Sequence, residues 1–134
     1  MEDNEAGCGI SVGTNGIGLF EHTQNNLPCV LADDTPIKDW THVAVVCTKG
    51  VPTLYVNGVA CKTGQRSPWT VFPGSHFGNR SIDLSYGPYQ GLIDEPMLFD
   101  RDLTGDEVTA AAPYAGRTRE EREQVVDYVA TGGY

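Results

Sequence analysis

Basic residues are scarce in this chain. Nine Lys and Arg stand against 18 Asp and Glu, a formal net charge of −9. Such a surface repels a polyphosphate backbone instead of releasing its counterions, so nucleic acid is excluded as an expected partner. Long apolar runs are missing as well. No stretch approaches the roughly 18 residues that a membrane-spanning helix needs, so membrane insertion is not expected. The opening MEDNEAGCG lacks the basic and apolar regions of a signal peptide, and the chain by itself is expected to be soluble and without a targeting address. The four cysteines Cys8, Cys29, Cys47 and Cys61 form no C-x-x-C pair, which argues against a structural zinc site. They allow three disulfide pairings in an oxidising compartment. All four nonetheless sit in apolar strand-like runs where a thiol packs as a small hydrophobe, and buried thiols are the preferred expectation.

What is present favours strands. A length of 134 residues with 40% hydrophobic side chains suits one domain with its own core, and 16 Gly with eight Pro among short apolar runs imply many turns. Three runs open the chain, at Ile10–Val12, Gly16–His22 and Leu27–Ala32. The pair Asn15-Gly16 marks a hairpin between the first two, because both residue types tolerate positive φ. Trp40–Thr48, WTHVAVVCT, reads as the central strand. Alternation puts Trp40, His42, Ala44 and Val46 on one face and Thr41, Val43, Val45 and Cys47 on the other, and the apolar character of both predicts cover on both sides. Lys49-Gly50 and Asn57-Gly58 then punctuate a three-stranded meander continuing through Val51–Asn57 and Val59–Thr63. Shorter strands are expected at Trp69–Phe72 and His76–Asn79, and a last one over Gln90–Phe99.

Thr104 and Glu107 form a capping-box pattern that starts a short helix over Asp106–Ala112, stopped by Pro113. Thr118 and Glu121 repeat the pattern ahead of a helix reaching about Ala130, whose Val125, Val126 and Val129 make a narrow apolar stripe.

The succession W-T-H-V-A-V-V at 40–46, L-Y-V-N-G at 54–58, G-L-I-D-E at 91–95 and L-F-D-R-D-L at 98–103, ending in the Thr104–Glu107 helix start, resembles the laminin G-like domains of the concanavalin A-like lectin and glucanase superfamily. I-S-V-G-T-N-G at 10–16 and L-F-E-H at 19–22 extend the resemblance over residues 9–112. It implies an all-β fold, an antiparallel β-sandwich (jelly roll) with a short helix and a C-terminal helix. The sandwich domain spans 1–113 and a linker with helix spans 114–134. Family members carry further strands upstream, so an open sheet edge is expected, to be covered by an upstream segment or by oligomerisation. Where relatives have an aliphatic residue after Asp-Glu, this chain has Pro96, which predicts a kink or bulge in the last strand.

The resemblance raises two chemistries. Some relatives are glycosidases, but adjacent strand residues such as Asp94 and Glu95 point to opposite faces, whereas hydrolysis needs two carboxylates facing one sugar. Leu92 and Pro96 or Met97 stand where flanking acids would belong. No enzyme activity is expected, and a degenerate glycoside hydrolase is the last alternative. Other relatives hold calcium at a rim of the sandwich, and Asn25, Asn26, Asp33 and Asp34 are the candidates here. His42 reads as a hydrogen-bonded core histidine, and His22 and His76 stand alone.

For a glycan or protein ligand, Trp69, Tyr86 and Tyr89 lie in Gly- and Pro-rich stretches near His76, Asn79 and Arg80, an aromatic platform beside polar groups; otherwise these rings cap the core. Asn79-Arg80-Ser81 is also a glycosylation sequon by pattern. The leading expectation is an extracellular or cell-surface module for carbohydrate binding or cell adhesion through rim loops. A structural domain making subunit contacts is the first alternative.

Overall fold

Tight turns dictate the architecture of the computed structural model, which describes residues 4–24, 28–37, 39–73, 91–93 and 96–112. Among the described residues seven strands come first: β1 (Glu5–Gly13), β2 (Gly16–His22), β3 (Cys29–Asp33), β4 (Val43–Thr48), β5 (Val51–Val56), β6 (Val59–Thr63) and β7 (Thr70–Pro73). The helix α1 (Gly105–Ala111) follows. The strands make two sheets, ordered β3-β2-β1-β7 and β4-β5-β6. All pairings are antiparallel except β1 with β7. The fold is the expected β-sandwich.

Both turns of the second sheet are built alike. Lys49 and Asn57 take φ of 50°, and Gly50 and Gly58 take 80°, the positive pair that matches the twist of a two-residue hairpin. The consecutive hairpins force β5 into the middle. Among the described residues β4 therefore ends its sheet, and the expectation that Trp40–Thr48 is the central strand is corrected: the strand starts at Val43, and Trp40 to His42 lie before it.

The first hairpin forms where expected, but the loop residues are Thr14-Asn15, with Gly13 opposite Gly16. Gly16 is required for a different reason from the one read in the sequence. It takes φ of +138°, and a Cβ there would lie 2.2 Å from the Asp33 carbonyl oxygen. β1 is also longer than Ile10–Val12, because pairing to β2 on one side and β7 on the other carries the strand through the glycine-rich Glu5–Gly9.

The core lies between the sheets. Cys8, Ile17, Leu19, Val30 and Leu31 of the first meet Leu54 of the second, and Ile37, Val43, Val45, Val56 and Val71 pack around them. Val46, on the opposite face of β4, is buried too, in line with the two-sided cover expected of this strand. Burial of each such side chain contributes about 1.5–3 kcal/mol. From β6 the chain crosses to the first sheet at Gly64, whose amide bonds Pro52 O at 2.8 Å, and Gln65 N bonds Val30 O at 3.0 Å.

α1 begins one residue earlier than expected and carries the full capping box: Glu107 N donates to Thr104 Oγ1 at 3.2 Å and Thr104 N to Glu107 Oε1 at 3.0 Å. It packs on the β5–β6 turn, where Thr109 Oγ1 donates to Gly58 O at 2.9 Å. Arg101 grips Glu107, holding its carboxyl down to about 2 together with the Thr104 amide.

The last expected strand is a second correction. Residues 91–93 and 96–99 are not strand, and Leu92, Ile93 and Leu98 are exposed. Pro96 has no ladder donor to offer there. The strand expected at His76–Asn79 and the helix from Thr118 lie outside the described residues.

Candidate functional site

Strand direction sorts the loops onto two rims. The first gathers the end of β2 at His22, Gln24 and Pro28, the Lys49-Gly50 turn and the crossover at 64–69. The second gathers the Thr14-Asn15 turn, Asp33 to Thr35, the Asn57-Gly58 turn and α1.

Trp69 stands on the first rim, and a chain of hydrogen bonds fixes its backbone. Glu21, on β2 opposite Cys8, points inward and is 2% exposed. Its Oε2 accepts from Ser67 Oγ at 2.7 Å. The same hydroxyl accepts from Trp69 N at 3.1 Å. Ser67 N donates to Gly50 O at 2.7 Å, tying the crossover to the β4–β5 turn, and the next backbone bond, Thr70 N to Asn4 O at 2.8 Å, starts β7. Trp69 itself is half-buried. On the same crossover Arg66 Nη1 donates to Lys49 O at 2.8 Å, which holds a planar guanidinium against the β4–β5 turn at this rim. A buried carboxyl without a partner is costly, so Glu21 and Ser67 act as one mount.

Neither residue was singled out in the sequence. Glu21 lies within L-F-E-H, and its place in alternation with Ile17 and Leu19 on the inner face was the available signal.

Of the expected ligand-binding residues, His76, Asn79, Arg80, Tyr86 and Tyr89 lie outside the described residues, and Trp69 is the member whose setting is seen. Asp33 and Asp34, the described half of the expected calcium set, stand on the second rim. Asn25 and Asn26 lie outside the described residues; their flanks, Gln24 and Pro28, belong to the first rim. About 13 Å of β3, at ~3.3 Å per residue, separates the two ends.

Asp33 Oδ1 accepts from Thr35 N at 2.7 Å. Bonding from the Thr35 side chain and amide, helped by the Cys61 thiol and the Lys62 charge, holds Asp33 below the usual carboxylate range. Among the described residues no three His, Cys, Asp or Glu converge on a common point.

All four cysteines are thiols, but burial holds only in part. Cys8 is buried and Cys47 half-buried, whereas Cys29 and Cys61, on β3 and β6, which end their sheets among the described residues, are exposed. Cys61 is the extra residue of a bulge in β6, its Sγ 3.4 Å from Leu54 O. Partial desolvation at the bulge, then the hydrogen bond and charge of the neighbouring Asp33 carboxylate, push that thiol up, away from the reactive thiolate.

His42 departs from the expected hydrogen-bonded state. Its backbone is held on both sides by Asn57, but the buried Nδ1 has no hydrogen-bond partner among the described residues. Burial lowers its pKa. Asp94 and Glu95 lie outside the described residues.

No curated protein sequence matches the chain. Among solved structures, a crystal structure of residues 221–444 of an S-layer domain-containing protein from Clostridium thermocellum is similar, with 22% identity and a TM-score of 0.46. The match covers 72% of this chain and 51% of that one, so the chain spans about half the length of that structure. The family model Laminin G 3, described as the concanavalin A-like lectin/glucanases superfamily, matches residues 3–109. With the sandwich, the positive-φ hairpins and the capped helix in place, the chain belongs to this laminin G-like family of the concanavalin A-like lectin/glucanase superfamily.

Proposed function

We propose that this domain is a non-catalytic binding module that recognises a glycan through its first rim, with Trp69 as the platform, at the cell surface or outside the cell. The observation that carries this reading is the mount of Trp69. A large aromatic residue stays half-exposed on a loop whose backbone is fixed through Ser67 to the buried Glu21. Partly exposed aromatic side chains on anchored loops, with planar donors such as Arg66 on the same rim, suit the apolar face and hydroxyl edge of a sugar ring.

A broad glycan array followed by calorimetry tests the proposal. Trp69→Ala is expected to lower affinity for the bound glycan by tenfold or more, about 1.4 kcal/mol, while circular dichroism and Tm stay near those of the parent. A blank array, or unchanged affinity in the variant, overturns it.

A second reading, a subunit-interaction domain, draws on β6. All five of its residues are exposed, Val59 at 66%, and its outer edge ends the second sheet among the described residues. Unpaired edges template association with another strand. Light scattering that finds a stable oligomer, dissociated by Val59→Lys, supports this reading, and a monomer at all concentrations rejects it.

A further inference from the structure

We propose that Asn15 is a site of spontaneous covalent modification, converting to aspartate and isoaspartate, while Asn57 in an identical Asn-Gly pair is protected by the fold. Both asparagines are followed by glycine, which has no side chain to hinder attack of its backbone nitrogen on the preceding side chain. In the reaction the Gly16 amide nitrogen, deprotonated by hydroxide, attacks Cγ of Asn15. The new N–Cγ bond forms, the Cγ–NH2 bond breaks, and the leaving group takes a proton and departs as ammonia. Water then opens the succinimide at either carbonyl, giving aspartate or isoaspartate. The net change is amide plus water to carboxylic acid plus ammonia, with no oxidant or cofactor.

The fold treats the two pairs differently. Both asparagines are exposed, but Asn15 lies in a two-residue loop followed by a Gly16 that is only half-buried. At the other pair, Asn57 Oδ1 accepts from His42 N at 3.0 Å and Asn57 N donates to His42 O at 2.8 Å. Gly58 is buried, Thr109 Oγ1 donates to its carbonyl at 2.9 Å, and a Cβ on it would lie 2.8 Å from Ala112 Cβ. Cyclisation at Asn57 must break the His42 clasp and move the nucleophile beneath α1. Cyclisation at Asn15 must shift Gly16 at the start of β2, opposite Gly13, but among the described residues it breaks no hydrogen bond to the asparagine side chain and moves nothing beneath a helix.

Modification has a local consequence. Gly16 is pressed against the carbonyl of Asp33 and the Cα of Asp34. A new carboxylate in the adjoining turn therefore joins two existing ones, and isoaspartate adds a backbone atom where the hairpin has no slack.

The test is incubation of the folded wild-type protein at mildly alkaline pH, followed by tryptic mapping with tandem mass spectrometry. Cleavage after Lys38, Lys49 and Lys62 places Asn15 in peptide 1–38 and Asn57 in peptide 50–62. Deamidation at Asn15 is expected at least about tenfold faster than at Asn57, the protection given by a local opening cost of about 1.4 kcal/mol. In concentrated guanidinium the two rates should converge. Equal rates in the folded protein, or Asn57 reacting first, overturn the proposal, as does an Asn15 that stays intact while the denatured chain reacts.

Discussion

Removing one hydroxyl, in Ser67→Ala, should both destabilise the sandwich and loosen its rim. Ser67 is 8% exposed and Glu21 2%, so water does not readily replace what the hydroxyl supplies. The substitution strips Glu21 Oε2 of its 2.7 Å donor and leaves Trp69 N without its acceptor. A buried polar group left unsatisfied costs about 1–3 kcal/mol, and loss of the second, part-buried bond adds about 0.5–1 kcal/mol. The expected total is about 1.5–4 kcal/mol. For a chain of this size that corresponds to a fall in Tm of roughly 5–16 °C. Urea unfolding followed by circular dichroism gives the first number and calorimetry the second. A double variant, Glu21→Leu with Ser67→Ala, removes the stranded carboxyl as well and should regain at least about 1 kcal/mol of that loss, a coupling readable from a double-mutant cycle. A Ser67→Ala protein within about 0.5 kcal/mol of the parent, at the level of an ordinary surface change, would refute the mount.

Three further outcomes follow from the same geometry. At Gly64 a Cβ would meet Val30 O at 2.4 Å, Leu31 Cβ at 2.9 Å and Pro52 Cγ at 3.0 Å, whereas at Gly9 it meets nothing within 4 Å. Gly64→Ala should therefore cost about 3 kcal/mol or prevent folding, and Gly9→Ala should stay within about 1 kcal/mol in urea melts. His42 has its pKa lowered by burial, so the unfolded chain binds the proton more readily than the folded one. Stability should be intact above the unfolded value near pH 6.5 and decline as pH falls through it towards the folded value; His42→Phe should flatten that part of the Tm–pH curve. Millimolar calcium should leave Tm unchanged, because Asp33 is already engaged by Thr35 and the flanks of Asn25 and Asn26 lie at the other end of β3; a clear rise would show a site assembled after all.

Local chemistry made much of the fold readable before any coordinates. The Lys49-Gly50 and Asn57-Gly58 turns, the β2 boundaries and the capped helix all depend on residues adjacent in sequence, and each lies where those residues put it. Long-range constraints were less accessible. The extension of β1 through Glu5–Gly9 comes from two neighbouring strands, one of them the parallel β7, and no periodicity in EAGCG announces it. Gly16 was legible as a turn residue, yet it is needed because Asp33 presses on it from another strand. Pro52 sits in the middle strand of its sheet, where proline is ordinarily excluded. It is tolerated because its missing donor faces the side where β6 has already ended at Thr63 and Gly64 approaches.

The site was harder to read than the fold, and the reason is burial of its anchor. An aromatic residue in a turn-rich stretch, Trp69, can be suspected of facing a ligand from sequence alone. The carboxyl that holds its loop is 46 residues away from Ser67 in the chain, inside an apolar strand, and acquires meaning only when the sheets close over it. Burying a carboxyl on the inner face is unfavourable by itself, and Ile17 and Leu19 show that apolar residues occupy the neighbouring inward positions without difficulty. Glu21 therefore costs the sandwich stability unless the crossover returns to satisfy it, and this ties the closing of the core to the conformation of the rim. A variant with Leu at position 21 should fold with the crossover less constrained, so that stability and the order of the Trp69 loop separate; wild-type protein has them linked.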